Sequence, residues 1–128
     1  MINHWEDFEA GPTQPVSQRI HVTLSPRNVI LLNGNIYEQM GKPAAVVLMF
    51  DKVHSMIGLR PTHEGRPGAF PVKHKPPGRH RLIRVTPFCK HYGIKVDRPT
   101  AFIDPELDAD GILKLDLRKT FTVSRRKP

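Results

Sequence analysis

The side chains best suited to chemistry in this sequence form a run of cations between positions 60 and 84. Seven lysines and arginines fall there against one acid, Glu64, with three histidines among them. Ammonium and guanidinium groups neutralise phosphates and release counterions, and guanidinium groups also pair with guanine edges. The pattern predicts phosphate contact by Arg60, Arg66, Lys73, Lys75, Arg79, Arg81 and Arg84.

Within this run, we assign any reading of base edges to Arg79, Arg81 or Arg84. A second basic segment follows near the end of the sequence, and we expect it to add a flexible grip on phosphates. The alternative interpretation is a solvated loop and a solvated tail. The cations of this second segment are Arg118, Lys119, Arg125, Arg126 and Lys127.

The overall charge supports a polyanionic partner. The 128 residues carry a formal net charge of +8, with a pI near 10.1. An excess of this size in a small domain favours nucleic acid, although some small proteins only carry a solvated basic surface. With one cysteine no intrachain disulfide can form, and we see no apolar run that could span a bilayer and no secretory signal. We therefore expect a cytoplasmic protein without a membrane segment.

The acids are concentrated in a late segment, DPELDADG and its surroundings. Alternating carboxylates are calcium-binding chemistry, but the segment lacks the flanking helices and the terminal glutamate of an EF-hand. We expect a solvated turn and no metal. The acids concerned are Asp97, Asp104, Glu106, Asp108, Asp110 and Asp116.

The sequence offers little for catalysis. Cys89 falls on the apolar side of a predicted helix beside Phe88 and Tyr92, as a core residue would. The histidines have no metal-ligand spacing, and neither GxxxxGK nor GxGxxG occurs. We expect no enzyme activity, no cofactor and no small-molecule substrate.

Secondary-structure elements must position the cations described above. The first is a predicted strand at Ile20–Leu24, and the stretch from Ser25 to Pro61 follows it. The apolar run Val29–Leu32 predicts a strand, Asn33 is a suitable helix cap, and Gly41 suits a helix C-terminus. Two further apolar runs around a polar turn predict a hairpin. These runs are Ala45–Phe50 and Met56–Leu59.

The same order of signals returns at an offset of 52 positions, so that Ile30 corresponds to Leu82 and Gly41 to Gly93. We predict strands at Ala69–His74 and Arg81–Val85, a helix that opens at Thr86-Pro87 with a capping hydroxyl, and a final hairpin around the acidic turn. The hairpin strands are Thr100–Ile103 and Ile112–Leu117. The organisation is an arm at 1–18, a first repeat at 19–62, a second repeat at 63–117 and a basic tail at 118–128.

The arm contains two aromatic residues, Trp5 and Phe8, in an acidic sequence without periodicity. Isolated aromatic side chains of this kind can dock on the domain or on a neighbouring subunit. The alternative is an ordinary mobile terminus.

A strand, a short helix ending in glycine and a hairpin that closes on Leu59-Arg60-Pro61 together resemble the swapped-hairpin module of the AbrB, MazE and MraZ proteins. Two tandem copies are most similar to MraZ. The resemblance implies a mostly β fold with two short helices, arranged as a duplicated swapped-hairpin β-barrel (a double-split barrel). It also implies a homodimer or larger homo-oligomer that binds double-stranded DNA.

The sequence departs from this family at the loops. Pro26-Arg27-Asn28 replaces the usual Lys-Gly-Arg hinge, Lys42-Pro43-Ala44 replaces Gly-Asp, and only the second copy keeps a Gly-Arg pair, Gly78-Arg79. The leading hypothesis is a nucleoid-associated transcriptional regulator. Two alternatives remain open: an RNA-binding or ribonucleoprotein module with stacking by Tyr37, Phe70 or Tyr92, and an antitoxin-like or structural module whose tails bind a protein partner.

Overall fold

The computed structural model describes residues 4–5 and 21–123, and within them the chain is mostly β with two short helices, as predicted. All strand pairs are antiparallel and fall into two sheets. The elements are β1 (Val22–Leu24), β2 (Val29–Leu32), α1 (Gly34–Gln39), β3 (Ala45–Asp51), β4 (Met56–Thr62), β5 (Phe70–Pro71), β6 (Lys73–Lys75), β7 (His80–Arg84), α2 (Thr86–Tyr92), β8 (Thr100–Phe102), β9 (Glu106–Leu107), β10 (Leu113–Asp116) and β11 (Thr120–Thr122).

The first sheet has six strands in the order β11-β8-β1-β2-β7-β6. At its centre β2 pairs with β7, so that Ile30 faces Ile83 and Leu31 faces Leu82. These are the two strands that the 52-residue offset relates. The hairpins β1–β2 and β6–β7 therefore lie on either side of one central antiparallel ladder.

The second sheet has five strands in the order β5-β3-β4-β10-β9. Its main element is the predicted hairpin, which the structure confirms: β3 pairs with β4 from Ala45 opposite Thr62 to Asp51 opposite Met56. Strand β10 then extends the sheet along the other side of β4, with Leu113 opposite Leu59.

The inner faces of both sheets share one apolar core. Alternate residues of β1, β2, β4 and β10 are buried, as a half-buried sheet requires, and the helices add Ile36, Phe88 and Cys89. No polar or charged side chain is buried among the described residues. The sheet residues at the centre of the core are Val22, Leu24, Ile30, Leu32, Val46, Ile57, Leu59, Ile83, Leu113 and Leu115.

The helices begin and end close to the predicted positions. Asn33 caps α1, because its side-chain oxygen accepts from the backbone N–H of Ile36 at 3.2 Å. Helix α2 ends at Gly93, whose φ of +66° is the left-handed conformation that glycine adopts without strain. The prediction that the Thr86 hydroxyl caps α2 is wrong. Val85 occupies the N-cap position, without a side-chain hydrogen bond.

The predicted strand Ala69–His74 is wrong as a single strand. It divides at Val72 into β5 and β6, which belong to different sheets. The backbone N–H of Val72 donates to the carbonyl of Ala44 at 2.9 Å, at the point where the chain passes from one sheet to the other.

The predicted final hairpin is also wrong. Strand β8 joins the six-stranded sheet beside β1, whereas β10 joins the five-stranded sheet beside β4. The hairpin partner of β10 is instead β9, which lies within the predicted acidic turn. Asp108 closes that tighter turn, because one carboxylate oxygen accepts from the N–H groups of Asp110 and Ile112.

Within the predicted basic tail, residues Thr120–Thr122 form β11, which pairs with β8. Residues 124–128 lie outside the described part of the chain. Among the described strands each sheet keeps two free edges, β6 and β11 in one and β5 and β9 in the other, so the sheets do not close into a barrel.

We predict that Ile83→Ala lowers the free energy of unfolding by about 2–5 kcal/mol, because Ile83 is fully buried in the central ladder. The matched control is Leu82→Ala, the next residue of the same strand, which is only half-buried on the opposite face. Urea unfolding followed by circular dichroism measures both. Equal losses for the two variants would show that the inner face has been assigned wrongly.

Candidate nucleic-acid interface

Strands β6 and β7 bring several predicted cations to the outer face of the six-stranded sheet. Ile83 points into the core, so its neighbours Leu82 and Arg84 project to the other side. Residues opposite each other in a ladder share a face, and Lys73 pairs with Leu82 while Lys75 pairs with His80. Both lysines therefore project on the same side as Arg84.

We define the outer basic face by Lys73, Lys75, His80, Leu82 and Arg84. Its two lysines, its histidine and its arginine are exposed, whereas Leu82 is half-buried. Neighbouring strand β2 adds the half-buried Val29, opposite Arg84, and Leu31, opposite Leu82. The surface thus has an apolar centre with positive charge around it.

Charge is divided between the sheets. The six strands that contain the outer basic face include Lys73, Lys75, Arg81 and Arg84 and no aspartate or glutamate. Acidic residues of the described strands all fall in the five-stranded sheet. They are Asp51, Glu106 and Asp116.

Arg79 and Arg81 are not part of the outer basic face, because they are engaged with α1. The Arg79 guanidinium forms an ion pair with the carboxylate of Glu38. The Arg81 guanidinium carbon lies 4.3 Å from the centroid of the Tyr37 ring, and the same group donates to the carbonyls of Arg79 and His80. The predicted base-reading set is therefore divided, with Arg84 alone on the outer basic face.

The β6–β7 turn packs tightly against the start of α1. A Cβ atom at Gly34 would lie 2.9 Å from the Cβ of Arg79, a separation that side chains do not tolerate. Within the turn, Nε2 of His74 lies 2.7 Å from the carbonyl oxygen of Gly78 and donates to it. These contacts fix the end of the hairpin, and His74 acts there as a structural residue.

The remaining predicted cations are dispersed. Arg60 lies opposite Val47 and projects from the outer face of the five-stranded sheet, so the core separates it from the outer basic face. Arg66 lies in the 63–69 loop. Arg118 and Lys119 lie in the turn before β11, and Nε of Arg118 is 3.3 Å from a carboxylate oxygen of Asp116. The predictions for the last three cations concern positions outside the described residues, namely Arg125, Arg126 and Lys127.

The carboxylate of Asp116 is held by its neighbour. The backbone N–H of Arg118 donates to it at 2.9 Å and, with the arginine side chain, lowers the pKa of Asp116 below its usual value. Arg118 is thus paired locally and is less available to a phosphate than the exposed Lys73 or Lys75.

The carboxylate of Asp108 in the acidic turn contacts the backbone of the turn and a lysine. One carboxylate oxygen of Asp108 accepts hydrogen bonds from backbone N–H groups. The other lies 3.7 Å from Nζ of Lys114. No group of three or more His, Cys, Asp or Glu side chains in residues 4–5 and 21–123 is arranged to hold a metal ion.

Sequence reasoning missed two members of the outer basic face, His80 and Leu82, and the half-buried Val29 and Leu31 beside it. Strand alternation through Ile83 would have placed His80 beside Leu82 and Arg84. The pairing of β2 with β7 could not be read from local signals, because the partners are separated by about fifty residues.

Comparisons with protein-family models, with curated proteins and with solved structures found no match. The swapped-hairpin resemblance accordingly rests on the sequence pieces that suggested it. In residues 4–5 and 21–123, no helix combines the length and the apolar character needed to cross a membrane.

We predict that Cys89 is nearly inert in the folded protein. It is 1% exposed, and burial raises the pKa of its thiol above the usual value, so little of the reactive thiolate is present near neutral pH. A chromogenic disulfide reagent should therefore label it slowly in buffer and rapidly in denaturant. Rapid labelling of the native protein would contradict a core role for this residue.

Proposed function

We propose that this protein is a DNA-binding transcriptional regulator that holds phosphates with the outer basic face. The observation that carries the proposal is the exposure of Lys73, Lys75 and Arg84 on one side of a sheet whose six strands contain no carboxylate. A cationic surface without internal acids attracts a polyanion. In residues 4–5 and 21–123, the ion pairs involve other cations than Lys73, Lys75 and Arg84.

The dimensions of the face suit a DNA groove. His80 and Arg84 stand at the two ends of β7, four residues apart, which corresponds to about 13 Å along a strand. The major groove is about 12 Å wide. Lys75, which lies opposite His80, and Arg84 at the other end of β7 can therefore approach phosphates on both sides of the groove, while Leu82 lies over its centre.

The engaged arginines have a supporting role in this proposal. Arg79 and Arg81 fix the β6–β7 hairpin on α1 through Glu38 and Tyr37, so the neighbouring lysines are presented on a rigid support. Preordered cations lose less conformational entropy on binding than cations on a mobile loop. Arg84 is the residue we propose for any contact with a base edge.

The assembly that we propose is a homodimer or larger homo-oligomer built as a duplicated swapped-hairpin barrel. Support comes from the sequence resemblance and from the central ladder, in which β2 and β7 meet as equivalent strands. Four sheet edges remain unpaired among the described strands, and a second copy could pair with them. Association with the nucleoid would follow from DNA binding.

We predict that replacing Lys73, Lys75 and Arg84 together by glutamine weakens binding to duplex DNA and flattens its salt dependence. Three lost phosphate contacts at about 0.9 each should reduce the slope of log K against log salt by about 2.7. Fluorescence anisotropy with labelled duplex, titrated at several salt concentrations, measures this slope.

The matched control removes the same charge elsewhere, with Arg66→Gln, Lys90→Gln and Lys114→Gln in one chain. These cations lie in a loop, on α2 and on β10, away from the outer basic face. We expect the control to retain most of the slope. If both triple variants lose the same amount, the binding reflects overall charge and not this face.

We further predict that duplex DNA binds more tightly than single-stranded or duplex RNA of the same length under the same salt. The same titration run with each nucleic acid, beside a mass measurement in solution, checks the preference and the oligomeric state. A preference for RNA would favour the ribonucleoprotein alternative. No binding at low salt, together with a stoichiometric protein partner on purification, would favour the antitoxin-like one.

A further inference from the structure

A surface cleft of about 730 Å³ lies away from the outer basic face, beside the end of α2. Its floor is the inner side of β8 and β11, where Thr100, Thr120 and Thr122 continue the sheet beyond the shared core. One wall consists of Phe50 and Tyr92. The volume falls within the range of pockets that accommodate a ligand or a large side chain.

The aromatic wall is held rigidly by the core. The ring of Tyr92 lies 4.9 Å from that of Phe50 and 5.1 Å from that of Phe88, centroid to centroid, and Tyr92 remains half-exposed. Nζ of Lys52 lies 5.7 Å from the centroid of the Tyr92 ring. The cleft therefore offers an aromatic surface with a cation beside it.

The border of the cleft carries further positive charge. Lys95 and Arg98 line it and are exposed, and Asp97 is the one carboxylate among the described lining residues. Among these lining residues the cations outnumber the acid by two to one, and Lys52 beside Tyr92 adds a third cation. An occupant that complements this cleft is aromatic and acidic.

The chain itself contains one segment with that chemistry, the arm at 1–18. It carries three acids, Glu6, Asp7 and Glu9, and no lysine or arginine, and its aromatic residues are Trp5 and Phe8. In the single chain Trp5 is 86% exposed, so the largest side chain of the arm buries little of its apolar surface. The basic sequence after Val123 does not suit the cleft, because Lys95 and Arg98 would repel it.

We propose that the cleft is the docking site for the N-terminal arm of a second copy of this chain. Trp5 enters against Tyr92 and Phe50, and the acids that follow it pair with Lys95 and Arg98. We assign the arm to a second copy because Trp5 of the same chain is exposed in the structure and does not occupy the cleft. The free edge of β11 runs along the cleft, so the arm can also add main-chain hydrogen bonds there.

The protein contains its own probe for this proposal, since Trp5 is its only tryptophan. We expect the tryptophan emission of the full chain, without DNA, to shift to shorter wavelength as protein concentration rises. Quenching by iodide should decrease in parallel, and the solution mass should increase over the same range. Emission typical of exposed tryptophan at every concentration would overturn the proposal.

A charge-reversal set identifies the cleft and the arm as the two partners. Lys95→Glu with Arg98→Glu should raise the dissociation constant about tenfold or more, because the acids of the arm would then face acids. The matched control is Arg66→Glu with Lys90→Glu, which makes the same charge change on exposed positions outside the cleft. The control should keep the emission shift of the parent protein.

A second variant distinguishes docking between copies from docking within one chain. Glu6→Lys with Asp7→Lys should weaken association by itself, since the arm then meets like charge. Mixed with Lys95→Glu, Arg98→Glu protein, it should restore the shift, because each arm finds a complementary cleft on the other chain. Failure of the mixture, with recovery only when all four changes share one chain, would show docking within one chain and overturn the proposal.

Discussion

The central ladder between β2 and β7 is the constraint on which the other features depend. Ile30 and Ile83 face each other across it, and both are fully buried, so each contributes about 1.5–3 kcal/mol through removal of apolar surface from water. A shift of β7 by one residue would turn Ile83 to solvent and bring Arg84 towards the core. The register is therefore fixed strongly, and the side on which Arg84 and the lysines project follows from it.

Local signals in the sequence predicted several elements whose partners are neighbours along the chain, although they missed the short β9–β10 hairpin. The apolar run of β2, the Asn33 cap of α1 and the β3–β4 hairpin were all predicted, because each depends on residues a few positions apart. The predictions failed where the question was which of the two sheets a strand joins. Nothing near Val72 indicates that the chain changes sheets there, and nothing near β8 indicates that its partners are β1 and β11.

The sequence predicted which cations belong to the candidate interface better than it predicted the side of the molecule on which each one projects. A linear count treats the seven cations of the 60–84 stretch as one cluster, whereas strand alternation sends Arg60 and Arg84 to opposite sides of the molecule. The ion pair of Arg79 with Glu38 joins residues 41 positions apart and could be found only once β7 and α1 were placed together. The outer basic face is therefore smaller than the predicted cluster, and in it Lys73 and Lys75 project on the same side as Arg84.

The separation of charge explains how one small chain can hold both a basic binding face and an acidic arm. Three acids on an undocked arm would act as a local competitor for Lys73 and Lys75, because a tethered segment has a high effective concentration. The cleft at Tyr92 offers those acids a different set of cations, Lys95 and Arg98, with an aromatic wall that selects Trp5. Docking of the arm there would bury its tryptophan and also leave the outer basic face open to a polyanion.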